Sequence, residues 1–257
     1  MLKLHEDNSI AYVTLDRPEV RNAFHPEMIQ KITKTFTQLS KRKDLRAVVL
    51  RGEGKVFCAG ADLNWMKEMV KYSFKKNQND SHQLFEMFAS VANCEVPVVG
   101  VVHGAAFGGA LGLMAACDYV IAEEKTQMCF SEVKLGIAPA VITYFIGKKC
   151  AQGVVLPLML TGKIFSPQEV LGSGLVHEVV SEAQMIEKLN QVVKYFLEAG
   201  PEAVRATKKL VKEVSVLSKA QAKIKTSKVI AERRVSKEGQ EGLKGFLEKR
   251  SPSWKKS

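Results

Sequence analysis

Two short stretches carry the residue types that could do chemistry. They are "FCAGADL" at 57–63 and "HGAAFGGALGL" at 103–113. Each follows an apolar run, contains mostly small residues and leads into a helical pattern. Glycine permits positive φ and close approach of a ligand to the backbone. A helix start leaves N–H groups without intrahelical acceptors and carries partial positive charge. Such a place suits an anion or a carbonyl oxygen that gains negative charge during reaction. Either loop alone is also what tight strand-to-helix packing requires; the pair suggests two backbone donors converging on one carbonyl oxygen.

Competing chemistries fail on detail. No G-x-x-x-x-G-K-[ST] phosphate loop is present, and Gly104, Gly108, Gly109 and Gly112 do not spell G-x-G-x-x-G. A G-x-S-x-G nucleophile elbow is absent as well. Cys58 adjoins the first loop and reads as a buried apolar cysteine. His103 reads as a turn residue with its ring satisfied locally.

The flanking pattern must position these loops. "SIAYVTLD" (9–16) alternates like a strand, and 26–39 places Met28, Ile29, Ile32, Phe36 and Leu39 on one helical stripe. "RAVVLRG" (46–52) and "VPVVGVV" (96–102) are buried-type strands, each feeding one glycine loop. Residues 64–93 are helical, with a polar interruption near 71–81 expected to be a mobile loop. Residues 111–117 form a buried helix and 118–124 a strand, an order that indicates α/β architecture with parallel crossovers. Ser166-Pro167-Gln168-Glu169 is a capping box that should start a helix, which Gly172 and Gly174 end. Beyond 183 the chain is amphipathic helix.

Composition narrows the classes. The 257 residues carry a net charge of +11, and residues 191–257 hold 17 Lys and Arg against 7 Glu. That basic surplus suits a phosphorylated ligand, an anionic surface or a solvated helical face. No nucleic-acid motif accompanies it. No apolar run approaches the ~18–20 residues of a membrane helix, and no secretory pattern opens the chain. The five scattered cysteines, at 58, 94, 117, 129 and 150, read as reduced core residues of a cytoplasmic protein with no metal-ligand spacing.

Taken together, the two loops, "FSEVKLGIAP" (130–139), "LTGKIFSPQEVLGSGLV" (160–176), "RPEVRNAF" (17–24) and "FLEKRSP" (246–252) resemble the enoyl-CoA hydratase/isomerase (crotonase) superfamily in order and spacing. The texture is nearest to the methylglutaconyl-CoA hydratase-like subgroup. The resemblance implies a crotonase-type spiral of ββα units over 1–195, which holds the CoA and active sites. It also implies a helical trimerisation region over 196–257 and a homotrimer or dimer of trimers. The substrate would be an acyl-CoA thioester, with no separate cofactor, no membrane and no nucleic acid. By the same resemblance the oxyanion donors are the N–H groups of Ala61 and Gly109, and Glu132 is the acid/base. The apolar neighbours of Glu132 would raise its pKa. Arg21, Ala23, Ala59, Asp62 and Leu63 would follow the CoA. Trp65, Gly108, Gly112 and Ala138, with Met66, Met69, Val141 and Phe145, would wall the acyl pocket. The basic C-terminal part would meet the CoA phosphates, unless it is a solvated face.

One departure matters. Hydratases of this family carry a first glutamate three positions after the second oxyanion donor, and Gly112 stands there. Four readings follow. The first is a hydratase using Glu132 alone, helped by a carboxylate on the substrate. The second is a Δ3,Δ2-enoyl-CoA isomerase, which needs one base. The third is a decarboxylase resting on the oxyanion hole. The fourth is a low-activity acyl-CoA or RNA binder using the basic helices.

Overall fold

The computed structural model describes residues 1–255. Strands β1 (Leu2–Asp7) and β2 (Ile10–Leu15) form an antiparallel hairpin. Its turn is Asn8-Ser9, both at positive φ (47° and 65°). Helix α1 (Pro26–Ser40) buries Met28, Ile29, Ile32, Phe36 and Leu39, the stripe read from the sequence. Then come β3 (Ala47–Gly52), α2 (Leu63–Met69), α3 (Phe74–Ala92) and β4 (Val98–Val102). The second half continues with β5 (Ala105–Phe107), α4 (Gly109–Ala116), β6 (Tyr119–Glu123) and β7 (Gln127–Cys129). Helices α5 (Ala140–Gly147) and α6 (Gln152–Thr161) and strand β8 (Glu178–Val180) follow. Four helices close the chain: α7 (Met185–Glu198), α8 (Pro201–Val214), α9 (Lys219–Val235) and α10 (Lys237–Leu247).

The main sheet runs β1-β2-β3-β4-β6-β8, parallel throughout except for the first pair; β5 and β7 form a small second parallel sheet. Both faces of the main sheet are covered, which is why β3 and β4 read as continuous apolar runs. Val48 and Leu50 pack into the large core with α1, α3 and α4, whereas Ala47 and Val49 face Leu189 and Val192 of α7.

Two expectations need correction. The polar stretch 71–81 is not a loop. Only 70–73 break the helix, and Ser73 caps α3 by accepting from the Lys76 N–H at 3.3 Å. The polar residues simply occupy the outward-facing first two turns of α3. The capping box at Ser166 does form, with the Ser166 N–H donating to Glu169 Oε1 at 2.9 Å, but it opens one 3₁₀ turn over Pro167–Val170. Leu171 is already extended and Gly172 left-handed (φ 79°), so the turn cannot propagate.

Helix α8 is fastened to the base of the sheet by cations on one face. Arg205 donates to the carbonyls of Arg42 and Leu45, Lys208 pairs with Asp118, and Lys212 donates to the Ala92 carbonyl at the end of α3. Part of the C-terminal basic surplus is therefore spent inward, on carbonyls and a carboxylate. No described helix is long and apolar enough to cross a membrane.

Candidate active site

Both glycine loops leave the C-terminal ends of adjacent parallel strands, β3 and β4, so the topology brings them side by side. Cross-links hold them there. The Cys58 N–H donates to the Ala105 carbonyl (3.1 Å) and the Phe107 N–H to the Cys58 carbonyl (3.2 Å). A Cβ on Gly60 would lie 2.9 Å from the Phe107 carbonyl oxygen, so the approach itself needs glycine. The N-terminal segment joins from the other side. The Phe24 N–H donates to the Gly60 carbonyl (2.7 Å) and the Asp62 N–H to the Phe24 carbonyl (2.8 Å).

These bonds flank Ala61 and leave its own N–H out. Gly109 is the first residue of α4, where no intrahelical acceptor exists. Among the described residues neither the Ala61 nor the Gly109 N–H has an acceptor. Gly108, which precedes the helix, sits at φ 52°, ψ −120°, a conformation only glycine takes readily.

Glu132 comes from a different element. It lies in the 3₁₀ turn Ser131–Leu135 after β7. Pairing of β7 with β5 delivers this turn to the second glycine loop, and the Gly108 N–H donates to the Cys129 carbonyl at 2.9 Å. A Cβ on Gly108 would be 3.2 Å from Glu132 Oε1. The carboxylate therefore packs against the backbone beside Gly109. Glu132 Oε2 is buried and has no hydrogen-bond partner among the described residues. Burial pushes the Glu132 carboxyl above the ordinary carboxylate range. A buried carboxylate oxygen without a partner costs stability, and a catalytic role is one reason such a group is kept.

Three residues after Gly109 the space is closed. A Cβ on Gly112 would stand 2.5 Å from Ile142 Cγ2 and 2.8 Å from Phe88 Cζ. Phe88 stacks edge-on with Phe24 and Phe145, at centroid distances of 6.4 and 5.5 Å. A side chain at 112 would force Ile142 and Phe88 to shift, so a carboxylate placed there meets a packed core. Phe88 and Ile142 were not singled out from sequence, because nothing local marks two apolar residues on α3 and α5 as facing one glycine on α4.

The remaining expected residues scatter around this centre. Ala23 is buried and Ala59 half-buried, both in the segments that hold the first loop. Arg21 is exposed in a left-handed conformation, and Leu63 is 74% exposed at the start of α2. Asp62 is committed to structure: it caps α2 by accepting from the Asn64 N–H and pairs with Arg17 (both 2.9 Å). Trp65 is buried, and its indole N–H points to Asp80 Oδ2 at 3.4 Å. Ala138 is exposed beyond the Glu132 turn.

Asn22 proves central. Fully buried, it donates to the carbonyls of Glu53 and Val56 (both 2.9 Å) and accepts from the Arg17 N–H, stapling the first loop to the N-terminal segment. Its only sequence signal is its place in "RPEVRNAF". Cys58 is no nucleophile: its thiol donates to the Asn22 carbonyl, and burial pushes it up to about 12. His103 contacts the Gly54 carbonyl at 2.8 Å, the local role expected of it. All five cysteines are buried and free.

The family profile described as enoyl-CoA hydratase/isomerase matches residues 5–257. The chain belongs to this family. An enoyl-CoA hydratase structure from Shewanella pealeana is 34% identical, covers 98% of this chain and 95% of its own, and superposes with a TM-score of 0.93. Pseudomonas aeruginosa AtuE is 28% identical, with 99% of both chains covered and a TM-score of 0.96. Among sequence relatives, the mitochondrial enoyl-CoA hydratase domain-containing protein 3 of Xenopus laevis is 29% identical over 252 residues, covering 98% of this chain and 85% of its own. The fold is thus the crotonase type, as the motifs implied.

Proposed function

We propose that this enoyl-CoA hydratase/isomerase family member is a hydro-lyase that adds or removes water across the α,β-double bond of an enoyl-CoA. The observation that carries the reading is the buried, unpartnered Oε2 of Glu132, in a chain where the Ala61 and Gly109 N–H groups also lack partners among the described residues. Chemistry next to a thioester carbonyl passes through an enolate, whose oxygen needs donors fixed in advance. Ala61 and Gly109 supply them, and one such donor is typically worth about 10²–10³ in rate. Glu132 moves the proton, and a pKa raised by burial makes it a better base than an ordinary carboxylate.

The acyl group proposed is 3-methylglutaconyl. With no room for a carboxylate at Gly112, a substrate that brings its own supplies the second polar group to hold water. Arg21, Ala23, Ala59 and Leu63 line the path proposed for the CoA, which is substrate and not cofactor. The region 196–257 is proposed to assemble a cytoplasmic homotrimer or dimer of trimers, consistent with Phe246 and Leu247 lying 83% and 77% exposed. A second reading, Δ3,Δ2-enoyl-CoA isomerisation, is favoured by the same sealed wall, since it needs only one base.

Turnover of crotonyl-, 3-hexenoyl- and 3-methylglutaconyl-CoA in ¹⁸O-water separates the two. A hydratase gives ¹⁸O-labelled 3-hydroxyacyl product, greatest with 3-methylglutaconyl-CoA. Unlabelled conversion of 3-hexenoyl-CoA alone shows an isomerase, and no turnover of any of the three refutes both.

A further inference from the structure

At the end of the sheet away from the glycine loops, three lysine amines gather around one carboxylate. Lys208 pairs with Asp118 and also donates to the Val96 carbonyl at 3.3 Å. Asp118 Oδ2 additionally accepts from the Val98 N–H at 2.8 Å. Lys149 donates to the Cys117 carbonyl, and Lys212 to the Ala92 carbonyl. Asp118 is thus satisfied by its nearest cation, and Lys212 is left with a backbone acceptor only.

Lys212 is an exposed residue whose amine end is desolvated against the Ala92 carbonyl; that desolvation, and then the Lys208 charge, bring the amine down to about 8, with Lys149 acting in the same direction, against Asp118 and Cys94. Beside it a groove of about 450 Å³ runs between α8 and the base of the sheet. Its walls include Pro97, Phe196, Val204 and Val211, with Lys208 and Lys212 at its edge. An amine with no carboxylate of its own next to an apolar channel is arranged as a nucleophile toward an electrophile that carries an alkyl chain.

We propose that Lys212 is an acyl-acceptor site, modified by acyl-CoA thioesters whose alkyl chain lies in this groove. The amine nitrogen attacks the thioester carbonyl, an N–C amide bond forms and the C–S bond breaks. The nitrogen's proton leaves with the CoA, which departs as free thiol. No oxidant or further reactant is needed. The proposal rests on the functional reading only in taking acyl-CoA as the thioester at hand. The product amide is uncharged, so acylation relieves the excess of cations over carboxylates in the cluster.

Butyryl-CoA is the probe, because it is saturated and neither hydration nor isomerisation consumes it. Incubation at pH 8 followed by peptide mass spectrometry should show Lys212 butyrylated about tenfold faster than the exposed Lys228. Lys212 labelling should level off above pH 8. Lys212→Arg should abolish the label on that peptide and leave enoyl-CoA turnover unchanged. Val211→Asp should cut Lys212 labelling several-fold with the circular dichroism spectrum retained. Glu132→Gln should still be labelled at the wild-type rate, which keeps this outcome separate from that of the hydratase reading. Labelling of Lys212 no faster than that of Lys228, or a rate indifferent to Val211→Asp, overturns the proposal.

Discussion

The two walls of the candidate site differ in kind. On one, Glu132 presents a buried carboxylate oxygen without a partner, set on a single 3₁₀ turn against the Gly108 backbone. On the other, Gly112 is covered by Phe88 and Ile142 so closely that a Cβ would force them to shift. One wall tolerates an unfavourable arrangement, as functional sites do, and the other is packed like any core. As packed, position 112 gives Glu132 no second carboxylate to work with.

The largest effect is expected at Glu132. Glu132→Gln should lower kcat by about 10²–10⁴, the usual worth of a positioned acid/base, with acyl-CoA affinity largely kept. Steady-state kinetics and calorimetric titration check the two halves.

Next in size is the sealed wall. Gly112→Glu should destabilise the fold by about 3 kcal/mol or more, combining overpacking with burial of a charge. It should not increase hydration of crotonyl-CoA. Gly112→Glu with Ile142→Ala should recover part of that stability. A wild-type denaturation midpoint for the single variant would show that the wall yields.

Gly108→Ala should cost about 1–3 kcal/mol through its positive φ alone, and should lower kcat by displacing Glu132. Urea denaturation and kinetics on the same preparation test both effects.

The smallest effect is on stability against pH. The folded-state pKa of Glu132 is raised above its unfolded value, so its contribution is fully present below the unfolded pKa. It is lost as pH rises through the folded value. Glu132→Gln should therefore melt higher than wild type at pH 8 and show no gain at pH 4. An equal gain at both would contradict a buried, ionising carboxylate.

How much of this was readable in advance follows from where each signal lies. The α1 stripe and the β3 and β4 runs were plain, because burial imposes a period on consecutive residues. The glycine loops were plain because close backbone approach tolerates few residue types. Strand β1 was missed, since five of its six residues are exposed and show no alternation. Strands β5 and β7 have three residues each, too short to show a period, yet their pairing is what carries Glu132 to Gly108. The fit of Phe88 and Ile142 over Gly112 is purely tertiary. Sequence marked Gly112 as the place where something was missing, and only the structure shows that the space is already filled.

On the proposed mechanism Glu132 alone moves the proton next to the thioester. The direct measurement is deuterium exchange at the α-carbon of a bound acyl-CoA in D₂O, followed by NMR for wild type and Glu132→Gln at equal site occupancy. Wild type should exchange the α-proton and Glu132→Gln should not. Exchange by Glu132→Gln at the wild-type rate would contradict the account.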